Sequence, residues 1–307
     1  MNENRTLAVD IGGTFIKYGL IDPDYRVSRH HKVPTLACSS AGEFFDYLCE
    51  NIPAGANIER IGISCPGLID RNNVVRSYAA PRLHSLYGAN LYEEMKKRTG
   101  IGAQAINDAK AAGLCELKLG NARGSKLSAC LIIGTGGGGC ICLEDNVFWG
   151  ADGFAGEFHF MAYPDERTGE TLKTGREIGT FGLINRYNAR AAEEKQVKLG
   201  KEITDRYFAG EKLAGEVVPD WIHRIALQCL TINVTIDPEI LLIGGGISEE
   251  NWFMEAVKKE YAVVCRQHFG GAEFLSAKIE RCRYLNDANL LGAALHTNHS
   301  KYLLDPE

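Results

Sequence analysis

Leu7–Asp10 is a short apolar run that enters Ile11-Gly-Gly-Thr14 and resumes as Phe15–Ile21. Lys126–Gly134 does the same through Thr135–Gly139 into Cys140–Leu143 and Val147–Trp149. A strand, a glycine turn and a second strand form a hairpin, so this chain carries two hairpin-led sets of elements. After the first hairpin the pattern predicts a strand over Arg29–Val33, a helix over Ser40–Asn51 and a strand over Ile61–Cys65 stopped by Pro66-Gly67. A helix over Leu91–Thr99, a strand over Ala103–Ile106 and a helix over Asp108–Leu119 complete that set. The helix at 40–51 rests on Phe44, Phe45, Leu48 and Cys49, which share one helical face. The second set continues with helices over Glu177–Glu194 and Asp220–Thr235, a strand over Glu239–Ile243 and a helix over Glu250–Tyr261. It ends with a strand over Lys278–Arg283 and a last helix over Asn289–His296. Two α/β halves joined near Leu119–Ser125 suit 307 residues better than one sheet.

The turns concentrate glycine. Asp10–Thr14, Gly134–Gly139, Gly150–Gly156 and Gly244–Gly246 hold 13 of the 34 glycines in 21 residues. Glycine costs backbone entropy, so such clusters mark backbone that turns with positive φ or approaches something closely. Five glycines within Gly134–Gly139 exceed what a hairpin needs. Backbone N–H groups at Gly12, Gly13 and Thr14, and again at Thr135, Gly136 and Gly137, can form nests for phosphate oxygens. Asp10 is placed to join a Mg²⁺ shell. Gly244 and Gly245 leave room for a flat ligand beside bare backbone. An ordinary Gly-Gly hairpin is the competing reading of the first turn. The dinucleotide-binding glycine fingerprint and the P-loop are both absent.

Charge narrows the partners. Lys plus Arg minus Asp plus Glu is 34 − 39 = −5, so no basic excess exists to neutralise nucleic-acid phosphates or an anionic membrane. No apolar run approaches the ~18 residues of a membrane span, and the polar Met1–Thr6 is not a signal peptide. The ten cysteines include no CxxC pair, and Cys130 and Cys229 lie inside apolar runs. Cys140 and Cys142 read as packing residues. That usage fits a reducing, cytoplasmic setting without disulfides.

Seven blocks carry a family resemblance: DIGGTFIKYGL at 10–20, CPGLID at 65–70, INDAKAA at 106–112, GTGGGG at 134–139, GADGFAGE at 150–157, DPEILLIGGGIS at 237–248 and NDANLLGAAL at 286–295. Together, in this order, they resemble the ROK family (repressors, open reading frames, kinases). The resemblance implies a two-domain actin-like ATPase/sugar-kinase (ribonuclease H-like) α/β fold with a cleft between the halves. The expected division is 1–118 plus 289–307 as the sugar/phosphate domain and 119–288 as the nucleotide-binding domain. It also implies transfer of the γ-phosphoryl of ATP, with Mg²⁺, to a hexose or hexose-containing glycoside at O6, and a homodimer.

On that resemblance Asp108 is the general base and Asn107 a sugar-hydroxyl ligand, although Asp108 before a helical run also reads as an N-cap. Glu157 matches the sugar-binding glutamate. Ser64, Pro66 and Gly67 match the loop lining the sugar pocket, and Lys17 matches a position near the phosphates. The other nucleotide-side positions are Asp10, Gly12, Gly13, Thr14, Thr135, Gly136, Gly137, Gly244 and Gly245.

Two departures stand out. The family's metal- and sugar-binding histidine column holds Phe160, and His159 lies one place early; on an extended strand that slip turns the side chain to the other face, and His159 reads either as a sugar contact reached from the shifted position or as a loop histidine. Ala162–Arg176 contains no cysteine, so no structural zinc is expected. The altered pattern resembles the branch that includes β-glucoside kinases, and Ser77–Asn90, with Tyr78, Pro81, His84 and Tyr87, is then expected beside the sugar, where it could stack on a second ring. Glucose, N-acetylmannosamine and fructose stay open as substrates. Two rivals are weighed. A repressor would carry a helix-turn-helix segment ahead of Asp10, whereas this chain begins six residues before its first strand. A catalytically silent sugar-binding sensor is the other.

Overall fold

The computed structural model describes residues 5–55, 57–78, 80–164, 169–270 and 277–299. The strands are β1 (Arg5–Ile11), β2 (Phe15–Ile21), β3 (Val27–Pro34), β4 (Ile58–Cys65), β5 (Ala103–Asn107) and β6 (Leu127–Ile133). They continue as β7 (Gly137–Leu143), β8 (Asn146–Val147), β9 (Ala162–Pro164), β10 (Thr171–Lys173), β11 (Ile240–Gly244) and β12 (Lys278–Arg281). The helices are α1 (Ala41–Glu50), α2 (Leu91–Thr99), α3 (Asp108–Lys118), α4 (Thr174–Ile178) and α5 (Thr180–Asn188). The remaining four are α6 (Gly200–Phe208), α7 (Lys212–Ile236), α8 (Asn251–His268) and α9 (Ala288–His299).

The chain divides into two compact units. One holds the chain through Gly120, Asn146–Ala155 and the chain from Asn286 onward; the other holds Asn121–Asp145 and Gly156–Leu285. The expected division assigns 146–155 to the second half, whereas these residues group with the first unit. Here Val147 and Trp149 are buried, and the Trp149 ring packs on His296 of α9.

In the first unit the sheet order is β3-β2-β1-β4-β5. β1, β2 and β3 are an antiparallel meander, while β4 and β5 run parallel to β1. Apolar residues of β1 and β2 bury against Phe44, Phe45 and Leu48 of α1, and the Tyr18 hydroxyl donates to the Leu48 carbonyl at 3.0 Å. In the second unit β7, β6, β11 and β12 are neighbours in that order, with β6-β7 antiparallel and β11 and β12 parallel to β6. The arrangement β2-β1-β4-β5 is thus repeated as β7-β6-β11-β12, as two hairpin-led halves require. Trp221 anchors the second core, its indole N–H donating to the Ile178 carbonyl at 2.7 Å.

Two helix expectations are corrected. The single helix over 177–194 is broken into α4, α5 and a 3-10 turn over Glu193–Lys195. Gly179 between α4 and α5 has ψ 168, and a side chain there would overlap the Thr135 carbonyl. The helix expected from Asp220 begins at Lys212 and runs through Pro219. Proline removes one N–H, but Val217, Val218, Trp221 and Ile222 keep the same helix buried on both sides of it.

α3 and α9 of the first unit pack backbone to backbone. A Cβ on Gly292 would overlap the Ala111 carbonyl, and one on Gly62 of β4 the Ala293 carbonyl. Gly292→Ala is therefore expected to cost ~1–3 kcal/mol or more, because rigid backbone must move. Urea unfolding at matched m-value checks this; unchanged stability would show that the helices can part freely.

Candidate active site

In the first unit the parallel register sets Asp10 of β1 opposite Ser64 of β4, and Cys65 of β4 opposite Asn107 of β5. Carboxyl ends of parallel strands are where open α/β sheets present ligand-binding groups. Asp10 is only 5% exposed. Its Oδ1 accepts from the Ser64 hydroxyl at 2.9 Å and from the Asn289 amide at 3.0 Å, while Lys17 Nζ lies 3.4 Å from Oδ2. Lys17 is there because it is Asp10's partner across the β1-β2 hairpin. Asn289, in the Asn-Leu-Leu-Gly block of α9, was not singled out from sequence. Its block was, but nothing local says that an α9 amide reaches β1.

The β5-α3 junction supplies the second carboxylate. Asn107, not Asp108, is the N-cap: its side-chain oxygen accepts from the Lys110 N–H at 3.1 Å. That correction has a geometric cause, since Asn107 keeps extended backbone (φ −60, ψ 146) while Asp108 is already helical. The Asn107 amide then donates to the Gly67 carbonyl and to Asp108 Oδ1, each at 3.0 Å, and the Ala109 N–H donates to the same Oδ1 at 2.8 Å. Capping by Asn107 leaves Asp108 partly exposed on the first turn and oriented by two donors. Asn107, Asp108 and Gly67 are therefore joined directly, and Ser64 and Asp10 form the adjoining pair.

The Gly12 N–H donates to the Phe15 carbonyl at 3.0 Å and the Gly134 N–H to the Gly136 carbonyl at 2.8 Å. Gly12, expected to offer its N–H to a phosphate, therefore spends it inside its own turn, and further bonds tie both turns to their neighbours. The Gly12 carbonyl accepts from the Thr35 hydroxyl at 2.6 Å and the Thr14 carbonyl from the Thr35 N–H at 2.9 Å. The Gly134 and Thr135 carbonyls accept from the Thr180 and Phe181 N–H groups, both at 3.0 Å. In a planar trans peptide the N–H points opposite to the C=O. The N–H groups of Gly13 and Phe15, and those of Thr135 and Gly136, consequently point away from the elements that hold the turns. Thr35 and Thr180 were not legible as turn anchors, being distant in sequence from what they hold.

The glycine surplus is partly packing, which corrects the reading that structure alone could not use it. A Cβ at Gly137 would meet the Ile178 side chain at 2.7 Å, and one at Gly156 the Cys140 backbone at 2.6 Å. Gly139 is likewise closed by Phe158, Gly244 by Ile132 and Cys282, and Gly245 by the Ile133 carbonyl. Gly134 and Gly246 remain clear of such neighbours.

His159 is also corrected. It lies in a 3-10 turn, Phe158–Phe160, not on an extended strand, so the face-flip argument does not apply. Its Nδ1 sits 3.1 Å from the Gly137 carbonyl. A carbonyl only accepts, so Nδ1 carries the proton in that contact. Glu157 immediately precedes the turn and is partly buried. Among the described residues no three His, Cys, Asp or Glu side chains are grouped to hold a metal ion. No described helix is long and apolar enough to cross a membrane.

The ROK family model matches residues 6–299. The chain belongs to the ROK family. Among ROK relatives, a β-glucoside kinase of Klebsiella pneumoniae is 28% identical over 96% of this chain and 96% of its own length. A glucokinase of Streptomyces coelicolor is 28% identical over 94% of this chain and 96% of its own. A solved ROK family protein from Streptococcus pneumoniae, in complex with sucrose, superposes with a TM-score of 0.84 at 24% identity, covering 97% of this chain and 99% of that one. The two-sheet α/β architecture is therefore that of the ROK sugar kinases, with the actin-like ATPase fold.

Cys65, buried at the end of β4, feels the charge of both carboxylates. Burial, and then the charges of Asp108 and Asp10, push its thiol well above the ordinary range. Cys229, in the second core, is pushed up to about 12 by burial. Unfolded thiols release their proton near pH ~8.5, so the folded chain holds protons that the unfolded chain loses. The stability these thiols supply is complete below that pH and is lost as pH rises above it. The unfolding free energy should fall between about pH 7.5 and about pH 10, and Cys65→Ala should make the fall shallower; an identical slope in the variant contradicts this.

Proposed function

We propose that this chain transfers the γ-phosphoryl group of ATP to a hydroxyl, O6, of a hexose or hexose-containing glycoside, with Asp108 as general base. The observation that carries the reading is the Asn107-Asp108 junction. It presents a carboxylate that is partly exposed, held by two donors and fixed to the loop of Gly67 through the Asn107 amide. Phosphoryl transfer needs little covalent help from the protein; it needs positioning, charge neutralisation and a base at the attacking hydroxyl. Names of the relatives, glucokinase and β-glucoside kinase, support a carbohydrate substrate.

In this reading Asn107, Gly67 and Ser64 hold the sugar in the first unit. Glu157, and His159 through its Nε2, are the further sugar contacts of this reading. The outward N–H groups of Gly13, Phe15, Thr135 and Gly136 receive phosphate oxygens, and Gly244 and Gly245 lie at the nucleoside. Lys17 adds positive charge and holds Asp10. Asp10 suits a magnesium ion bound chiefly by the nucleotide phosphates, because its own oxygens already meet Ser64, Asn289 and Lys17. Bound there, magnesium would neutralise charge on the transferring phosphate. Asp108 takes the proton of the hydroxyl as its oxygen attacks phosphorus, and ADP leaves. A homodimer in a reducing cytoplasm belongs to the same reading, and ten free cysteines are in keeping with it.

Replacing the base tests the assignment. Asp108→Asn should lower kcat by about 10²–10⁴ with little change in KM for ATP, measured by coupled ADP release over a panel of sugars. A variant with near-normal kcat contradicts Asp108 as base.

A further inference from the structure

We propose that His159 is a positioning residue that links the two binding events of the kinase. Its Nδ1–H holds the far leg of the second glycine turn in place for the phosphates, while its Nε2 accepts a hydrogen bond from a sugar hydroxyl. Sugar binding then tightens nucleotide binding through this one ring. The role rests on the sugar-kinase reading above and adds to it a coupling between the two ligands.

The second turn is held carbonyl by carbonyl. The Thr180 and Phe181 N–H groups hold the Gly134 and Thr135 carbonyls, and the turn's own Gly134 N–H holds that of Gly136 at 2.8 Å. The Gly137 carbonyl, where the turn enters β7, is met by His159 Nδ1 at 3.1 Å. Backbone N–H groups thus secure the first three carbonyls. The fourth depends on a side chain 22 positions further along the chain. A planar peptide turns its N–H opposite to its carbonyl, so these anchors together set which way the N–H groups of the turn face. Loss of the imidazole frees the exit of the turn while its entry stays tied to α5.

The surroundings admit this ring and keep it still. A Cβ on Gly175 of α4 would lie 2.2 Å from His159 Nδ1 and 2.5 Å from the Gly137 carbonyl oxygen, and one on Gly136 would lie 3.7 Å from Nδ1. Bare backbone at Gly175 is therefore what lets the imidazole edge reach the turn. The 3-10 turn that carries the histidine is fixed on either side of it. Phe158 is buried and closes over Gly139 of β7, and the Met161 carbonyl accepts the Thr174 N–H at 2.7 Å. Phe160 meets the ring edge-on with centroids 5.0 Å apart. With Nδ1 donating to a carbonyl, a neutral imidazole keeps its lone pair on Nε2, which complements a sugar O–H. A sugar bound to Nε2 holds the ring on the Gly137 carbonyl, and by linkage the nucleotide strengthens sugar binding by the same factor.

Calorimetric titration of AMPPNP with magnesium tests this, with and without the hexose that gives the fastest ADP release. Wild-type protein should bind the analogue about tenfold more tightly when the sugar is present. His159→Asn puts an N–H donor where Nδ1 stands and nothing at Nε2; His159→Gln does the opposite. The asparagine variant should keep sugar-free AMPPNP affinity within about twofold, lose the coupling and raise KM for the sugar about tenfold. The glutamine variant should keep KM for the sugar within about twofold and bind AMPPNP about tenfold more weakly. His159→Ala should lose both, and should it fail to fold, the asparagine and glutamine pair decides. Equal losses in that pair overturn the role, because a merely structural histidine draws no such distinction. Wild-type protein that binds AMPPNP alike with and without sugar overturns it too. Normal ADP release with AMPPNP affinity indifferent to His159 overturns the clamp and leaves the kinase reading standing. ADP release from no sugar overturns the kinase reading and the coupling, while AMPPNP affinity kept by asparagine and lost by glutamine leaves the clamp in place.

Discussion

The first unit depends on the parallel pairing of β1, β4 and β5. Asp10, Ser64 and Asn107 are far apart in sequence, and only the register of these three strands brings their ends level. A slip of one residue would turn each side chain to the opposite face of the sheet. The backbone-to-backbone approach of α3 and α9, which requires Gly62 and Gly292, keeps the helices close behind those strands. It also brings Asn289 to Asp10. The carboxylates are thus positioned by the packing of the unit, not by a flexible loop.

Glycine serves two purposes that a composition count merges. At Gly137, Gly139, Gly156, Gly244 and Gly245 the missing side chain lets other protein atoms approach. The turns themselves are asymmetric because Thr35 and the first N–H groups of α5 hold their carbonyls, leaving particular N–H groups directed outward. The second hairpin is as much a docking surface for α4, α5 and His159 as it is a candidate phosphate nest. Mutating its glycines would report on folding before it reported on ligand.

Much of this was legible in the sequence because hairpin-led strand patterns and a turn of alternating burial leave local signatures. The hairpins, α2, and the strand ending in Asn107 all follow from short-range patterning. The misreadings have two causes, a long-range contact in one case and local backbone geometry in the others. Apolar spacing carried the helix past Gly179, where the Thr135 carbonyl stops it. The Asp at 108 looked like a cap, and the strand geometry of Asn107 took that role. The face-flip argument for His159 needs a strand, and the residues around it make a 3-10 turn whose histidine reaches the Gly137 carbonyl. Asn289, Thr35 and Thr180 act across 279, 23 and 46 positions of sequence respectively, beyond what any local pattern encodes.

The proposed chemistry is most directly tested by following phosphorus rather than ADP. Incubation of the protein with ATP, magnesium and a hexose or glycoside, read by ³¹P NMR, should show a sugar phosphomonoester growing in step with ADP, coupled to the protons at C6. Inorganic phosphate appearing in place of that ester, or an ester at a position other than O6, would contradict the transfer assigned to the Asn107-Asp108 junction.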